Sequence, residues 1–258
     1  MPSNKKERPG IKSTNTTFDI IDQIADSEEK NLTDIANELE VAPSTVHGHL
    51  ETLKERGLII NDADGYRISL KFLEYGIEAK DLKPVATLAE PILQELAKET
   101  GEFVTLLVEE RGYGVILNRA AGKHAIEPIG KIGRHLHLHC IASGKAIMAK
   151  LPDRQIENII NNHGLPEQTL HTITDANTLW EEIEEIRKQH LAYEDEEIAQ
   201  GIRAVGVPIC PEDEVRAAID VSGPANRMQD QKLREEIPDL LLGAANELEL
   251  RLTHENPK

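Results

Sequence analysis

Hydrophobic positions repeat with a helical period over the first part of the chain. Phe18, Ile21, Ile24 and Ala25 fall on one helical face. Asn31 suits the N-cap of a second helix, with Asp34 as a shortened capping-box partner and Ile35, Ala36 and Leu39 as its apolar stripe. Pro43 suits the first turn of a third helix, where its missing N–H costs nothing. Val46, Leu50 and Leu53 form that helix's buried stripe, and Gly57 stops it. Leu58-Ile59-Ile60, an Asp/Gly-rich turn and Tyr66-Arg67-Ile68 then predict a hairpin. A tight turn between two helices, followed by a hairpin, is the pattern of a winged helix-turn-helix over residues 16–70, whose second helix enters the major groove. The same module also serves elsewhere as a protein-docking domain.

The pattern continues as a connecting helix over 71–83, with Phe72, Leu73, Gly76 and Ile77 apolar. A second domain over 84–258 opens with an amphipathic helix from Val85 to Thr100. Strands are predicted at Phe103–Val108 and Val115–Arg119 around Gly112-Tyr113-Gly114, and at Ala204–Ile209 and Val215–Val221 around Pro211-Glu212-Asp213. Helices are predicted at Ser143–Leu151, Asp153–Asn162, Asp175–His190 and Gln229–Leu252. Hairpins mixed with helices indicate an α+β fold with a mainly antiparallel sheet.

Composition changes this picture in one respect. The 258 residues include 46 acidic and 29 basic side chains, a net charge of −17. Affinity for DNA rests on Lys and Arg neutralising phosphates, so so acidic a chain looks unsuited to it. Residues 1–80 are nonetheless only −5 and residues 81–258 are −12. Seven of the acids in this part, Asp19, Asp22, Asp26, Glu28, Glu29, Glu38 and Glu40, sit on the first two helices and their turns, which can face away from the groove. A salt-rich cytoplasm would reconcile charge with DNA binding, because Coulomb forces are screened to about 3 Å at molar salt. Residues 1–15 carry Lys5, Lys6, Arg8 and Lys12 and suggest a flexible basic arm. Two distant cysteines, Cys140 and Cys210, no signal core and no long apolar run point to a reducing cytoplasm and no membrane.

On the third helix, Ser44, Thr45, His47 and Gly48 lie near the N-terminal end and off the buried stripe, where side chains reach bases or phosphates. Gly48 costs the helix about 1 kcal/mol relative to Ala, and its bare backbone permits close approach to DNA. Lys54, Arg56 and the wing's Arg67 are candidate phosphate contacts.

The stretches LTDIANELEVAPSTVHGHLETLKERGLI, GYRISLKFLEYG, LHLHCIASGKAIMAKLP, AYEDEEIAQGIRAVGVPI and AAIDVSGPANR follow one another in the order seen in a known family. From Thr16 to Leu252 the chain resembles the IclR (isocitrate lyase regulator) transcription factors. That resemblance implies a winged helix-turn-helix joined by a helix to a GAF-like effector domain, acting as a homodimer or homotetramer on a pseudo-palindromic operator in double-stranded DNA. By position it implies that Ala142 and Ser143 hold an effector's acid group and that Glu194, Ala204, Asp220 and Ser222 line the rest of the pocket, the effector being a small organic acid or another small metabolite. The chain departs from the family's usual pattern at Gly48, where Arg is common, and at His190 and Glu194, where Gly and Asp are usual.

Ala142-Ser143-Gly144-Lys145 leads into a helix whose free N–H groups and dipole suit a small anion. It is no phosphate-binding P-loop, since His139 stands where the first glycine belongs. His135, His137 and His139 share one face if their run is a strand, leaving open a metal- or pH-responsive regulator. A small-molecule enzyme using Ser143, Lys145, His139 and Glu194 is a weaker alternative, because no nucleophile motif supports these groups. The leading expectation is a ligand-responsive transcriptional regulator needing no cofactor, metal or catalytic residue.

Overall fold

A computed structural model describes residues 10–26, 30–126, 130–213, 217–229 and 231–255. The chain divides into two compact units, Met1–Ala79 and Lys80–Lys258. In the first, α1 (Lys12–Ala25), α2 (Leu32–Leu39) and α3 (Pro43–Glu55) precede a hairpin of β1 (Ile59–Asp62) and β2 (Gly65–Ile68). Ile20, Ile24, Ile35, Val46, Leu50, Leu53 and Ile59 form its core. Each such fully buried aliphatic side chain contributes about 1.5–3 kcal/mol.

Three local features differ from the sequence expectation or explain it. Helix α1 begins at Lys12, so Lys12–Asn15 are helical and belong to no flexible arm; residues 1–9 of that arm lie outside the described residues. Its buried stripe is Ile20 and Ile24, while Phe18 is 57 % exposed. Asn31 caps the start of α2, its side chain accepting from Asp34 N at 3.0 Å, and Glu40, in the left-handed region at φ 56°, ends α2 and opens the turn to α3.

Helix α4 (Lys71–Asp81) buries none of its residues among those described and is followed by α5 (Pro84–Thr100). Six antiparallel strands make the second unit's sheet: β3 (Phe103–Glu110), β4 (Tyr113–Ala121), β5 (His135–His137), β6 (Ala192–Asp195), β7 (Ile202–Ile209) and β8 (Ala217–Pro224), in the order β5-β4-β3-β8-β7-β6. Short β5 and β6 occupy the edges; the sequence pattern left β6 out because four residues are too few to show a period. The expected strand start at Val215 lies outside the described residues.

Period-two alternation decides what each face meets. Val104, Leu106, Val205, Val207, Ile219 and Val221 pack on α5 and on α9 (Ile237–Glu255). Leu107, Ile116 and Ala218 point the other way, toward α6 (Ala142–Lys150), α7 (Asp153–His163) and α8 (Ala176–Gln189). The long C-terminal helix is not continuous: a π turn at Lys232–Glu236 precedes α9, whose Pro238 lacks the N–H an unbroken α ladder would use.

Candidate functional site

Two places gather the chemistry, one in each unit. On α3 the buried stripe Val46, Leu50 and Leu53 leaves Ser44, Thr45, His47 and Gly48 exposed. A Cβ added at Gly48 would meet nothing within 4 Å, so the glycine answers no packing demand inside the unit. Lys54 and Arg67 are exposed too, yet each already has an acid: Lys54 Nζ lies 2.6 Å from Glu51 Oε1, and Arg67 Nε 2.9 Å from Asp62 Oδ2. Arg56 makes no ion pair among the described residues. His49, which the sequence did not single out, bonds Thr17 Oγ1 through Nδ1 at 2.9 Å and pins α1 to α3. Its half-buried place beside the stripe was the available signal.

In the second unit a cavity of about 740 Å³, partly open to solvent, lies between the sheet and the first turn of α6. Ala142, Ser143, Glu194, Ala204, Asp220 and Ser222 all line it. Register explains the gathering: Glu194 faces Ala204, Ala204 faces Ser222 and Ser222 faces Phe103, while Asp220 sits between Gly206 and Thr105. Phe103, Thr105 and Leu107 also line the cavity, as do Ile198 and Ile202. The parity of β3 was enough to find the first three. Two glycines bring α6 this close. A Cβ at Gly206 would stand 2.9 Å from Ser143 N, and one at Gly144 2.3 Å from Leu138 O.

The polar lining is unusual in its charge. Burial pushes the Glu194 carboxyl up to about 8, although Glu197 N and Ile198 N both donate to its Oε1, at 2.7 and 3.2 Å. Burial likewise pushes Asp220 up to about 7, with the Ser143 hydroxyl pulling the other way. Ser143 Oγ is buried beside Asp220, near enough to lower its pKa, yet makes no well-formed hydrogen bond among the described residues. No Lys, Arg or His is among the described residues lining the cavity.

Lys145 stands behind this wall, fully buried. Its Nζ binds Glu182 and, at 2.6 Å, Glu197. Burial disfavours its ammonium, but the two carboxylates outweigh that and hold its pKa above the usual lysine range. It therefore ties α6 to α8 and to the β6–β7 loop, its ammonium taken up by these two carboxylates.

The histidine run is corrected. Strand β5 ends at His137, and Leu138–Cys140 form a 3₁₀ turn, so His135, His137 and His139 do not share a strand face. His139 is buried, with Nε2 3.3 Å from Pro166 O and its pKa driven down to about 4 by desolvation. His137 instead meets Tyr113 and His139 edge-on, at 5.3 and 5.7 Å between ring centres. Among the described residues, no group of three or more His, Cys, Asp or Glu side chains is placed to hold a metal ion. No helix among them is long and apolar enough to cross a membrane.

Comparison with known proteins places both units in one family. The IclR helix-turn-helix domain matches residues 16–63, and the bacterial transcriptional regulator IclR C-terminal domain matches residues 78–250. The chain is 29% identical to the probable HTH-type transcriptional regulator ArcR of Halobacterium salinarum, over 97% of each chain. The crystal structure of Thermotoga maritima IclR superposes with a TM-score of 0.78 at 29% identity, covering 93% of this chain and 98% of that one. An IclR homologue from Microbacterium hydrocarbonoxydans, solved in complex with 4-hydroxybenzoate, shares the fold with a TM-score of 0.79 at 18% identity, over 94% and 99% of the two chains. A winged helix-turn-helix unit and an α+β effector unit, matched in order along almost the whole chain, make this protein a member of the IclR family of transcriptional regulators.

Proposed function

We propose that α3 reads a pseudo-palindromic operator in double-stranded DNA, and that a small metabolite in the cavity under α6 changes the affinity for it. The observation that carries this reading is the pairing, in one chain, of an exposed polar α3 face with a largely apolar cavity in the other unit that holds a few buried polar groups. Ser44, Thr45, His47 and Gly48 contact bases or nearby backbone; Arg56 supplies a phosphate contact, and Lys54 and Arg67 do so on leaving their acids. Ala142, Ser143, Glu194, Ala204, Asp220 and Ser222 contact the effector. The ligand of the Microbacterium homologue supports a small organic molecule as the effector class. The protein works in the cytoplasm as a homodimer or homotetramer, so that two copies of α3 meet two half-sites about one helical turn apart. It is a regulator, with no catalytic role for the cavity.

Binding-site selection from genomic fragments tests this. The expected product is a sequence with two half-sites, bound by the wild type and lost to Thr45→Ala/His47→Ala with the oligomeric state unchanged. Equal binding by the variant would remove α3 from the interface. A salt series adds a test of habitat. With a salt-rich cytoplasm, binding persists at molar KCl with a shallow slope, whereas a steep loss between about 0.1 and 0.5 M marks ordinary phosphate-dominated affinity.

A further inference from the structure

We propose that the effector carries an ammonium group on a small apolar body, the ammonium lying between Asp220 and Glu194. The proposal rests on the reading of the cavity as the effector site and specifies what that site selects. Both carboxyls are more than nine-tenths buried, at 7 % and 1 % exposure, and both line the cavity. They approach from opposite sides: Glu194 is on β6 and Asp220 on β8, with β7 between them. Two strand spacings of about 4.8 Å separate β6 from β8. The floor between them is Ala204 and Gly206, small residues that leave the gap open.

Charge decides what fits the gap. A carboxylate ligand would place a third acid in an enclosure whose described lining holds no cation. Such a group keeps its charge in a low-dielectric site only when paired. An ammonium has three N–H donors and no acceptor. It offers one to Asp220, one to Glu194 and one to Ser143 Oγ, the buried hydroxyl that makes no well-formed hydrogen bond among the described residues. Charge-assisted bonds of this kind are about twice as strong as neutral ones. The raised pKa values of the two carboxyls, caused by burial, are what an ammonium would relieve. Leu107, Ile116, Leu136 and Ile198 supply an apolar wall for the rest of the molecule.

The ammonium has two natural sources, a simple amine and an amino acid. An amino acid would add a carboxylate paired with its own ammonium, to which the first-turn N–H groups of α6 at Ala142 and Ser143 could donate.

Matched probes separate these cases, tested by calorimetry on the full chain: leucine, isoamylamine and isocaproate share one body, and phenylalanine, phenethylamine and hydrocinnamate another. The expected result is that an ammonium probe binds at least about tenfold more tightly than its matched acid. Asp220→Ser then weakens that probe by about ten- to a hundredfold, and Asp220→Asn, which keeps the shape without the charge, does likewise. Leucine or phenylalanine binding more tightly than the matched amine identifies an amino acid; equal or weaker binding identifies an amine. Tighter binding of the acids overturns the proposal. So does ammonium binding unchanged in both Asp220 variants, or no ammonium binding up to about 10 mM. Ala204→Phe, whose ring fills the cavity, separates this failure from failure of the effector-site reading. Acid binding blocked by Ala204→Phe ends the ammonium class and keeps the site, whereas acid binding indifferent to Ala204→Phe ends both.

Discussion

The two units use polar residues in opposite ways. On α3, Thr45 and His47 stand in water, and the fold underneath rests on Val46, Leu50 and Leu53. In the effector unit Glu194 and Asp220 are enclosed, with Lys145 buried behind them, so the carboxyls that would meet a ligand also bear on the stability of the fold. Exposed polar groups are cheap to hold and are free to bind a large partner. Enclosed ones carry desolvation costs that a ligand or an internal partner must offset.

That contrast predicts a graded series of stability changes under chemical denaturation. The largest belongs to Lys145→Met, which leaves Glu197 buried without its cation and should cost about 3–5 kcal/mol. A loss below about 1 kcal/mol would show that the Lys145 bridge braces nothing. Next is Asp220→Asn, which should stabilise, with a definite pH dependence. Folding raises this carboxyl from 3.8 to about 7, so the folded chain binds the extra proton between those values. The group's contribution is therefore favourable in acid and is lost as pH rises through about 7. The variant should match the wild type near pH 4 and exceed it by about 2–4 kcal/mol at pH 8. Glu194 adds a loss in the same direction, up to about pH 8, in both proteins; it faces Glu197 and Lys145, which stay in place. A pH-independent difference would mean that Asp220 is not desolvated.

Smaller still is His190→Gly. His190 caps α8 at φ 59°, a left-handed conformation that glycine adopts without strain, and the change should add about 1 kcal/mol to stability. It gives up the contact of Lys150 Nζ with His190 Nδ1 at 3.3 Å, which lies at the surface. The smallest effect on stability belongs to Thr45→Ala/His47→Ala. It should shift stability by no more than about 0.5 kcal/mol, as surface substitutions do, while reducing operator binding by about a hundredfold. A large stability loss there would erase the distinction between the two units.

Much of this arrangement was legible in the sequence where a period had room to repeat. The stripes of α2 and α3, the Asn31 cap, Pro43 and the wing follow from local chemistry. Phe18 misled because Ile20 and Ile24 define a different stripe on α1, a choice made by packing against α3 and invisible to spacing alone. Leu138–Cys140 alternates like a strand, yet Gly144 packs against Leu138 O there and the chain turns into α6. The cavity residues came together in the sequence only through family resemblance, since β6, β7 and β8 meet through long-range register. The buried bridge from Lys145 to Glu182 and Glu197 spans 37 and 52 positions, and no local pattern announces it.

The central claim is that occupancy of the cavity is felt at α3. The most direct test is the dissociation constant for the selected operator, measured with and without the tightest-binding small-molecule probe at saturation. A coupling of ordinary size predicts a change of about 5- to 150-fold in wild type, and no change in Ala204→Phe. An operator affinity that stays the same in wild type while the probe fills the cavity would contradict it.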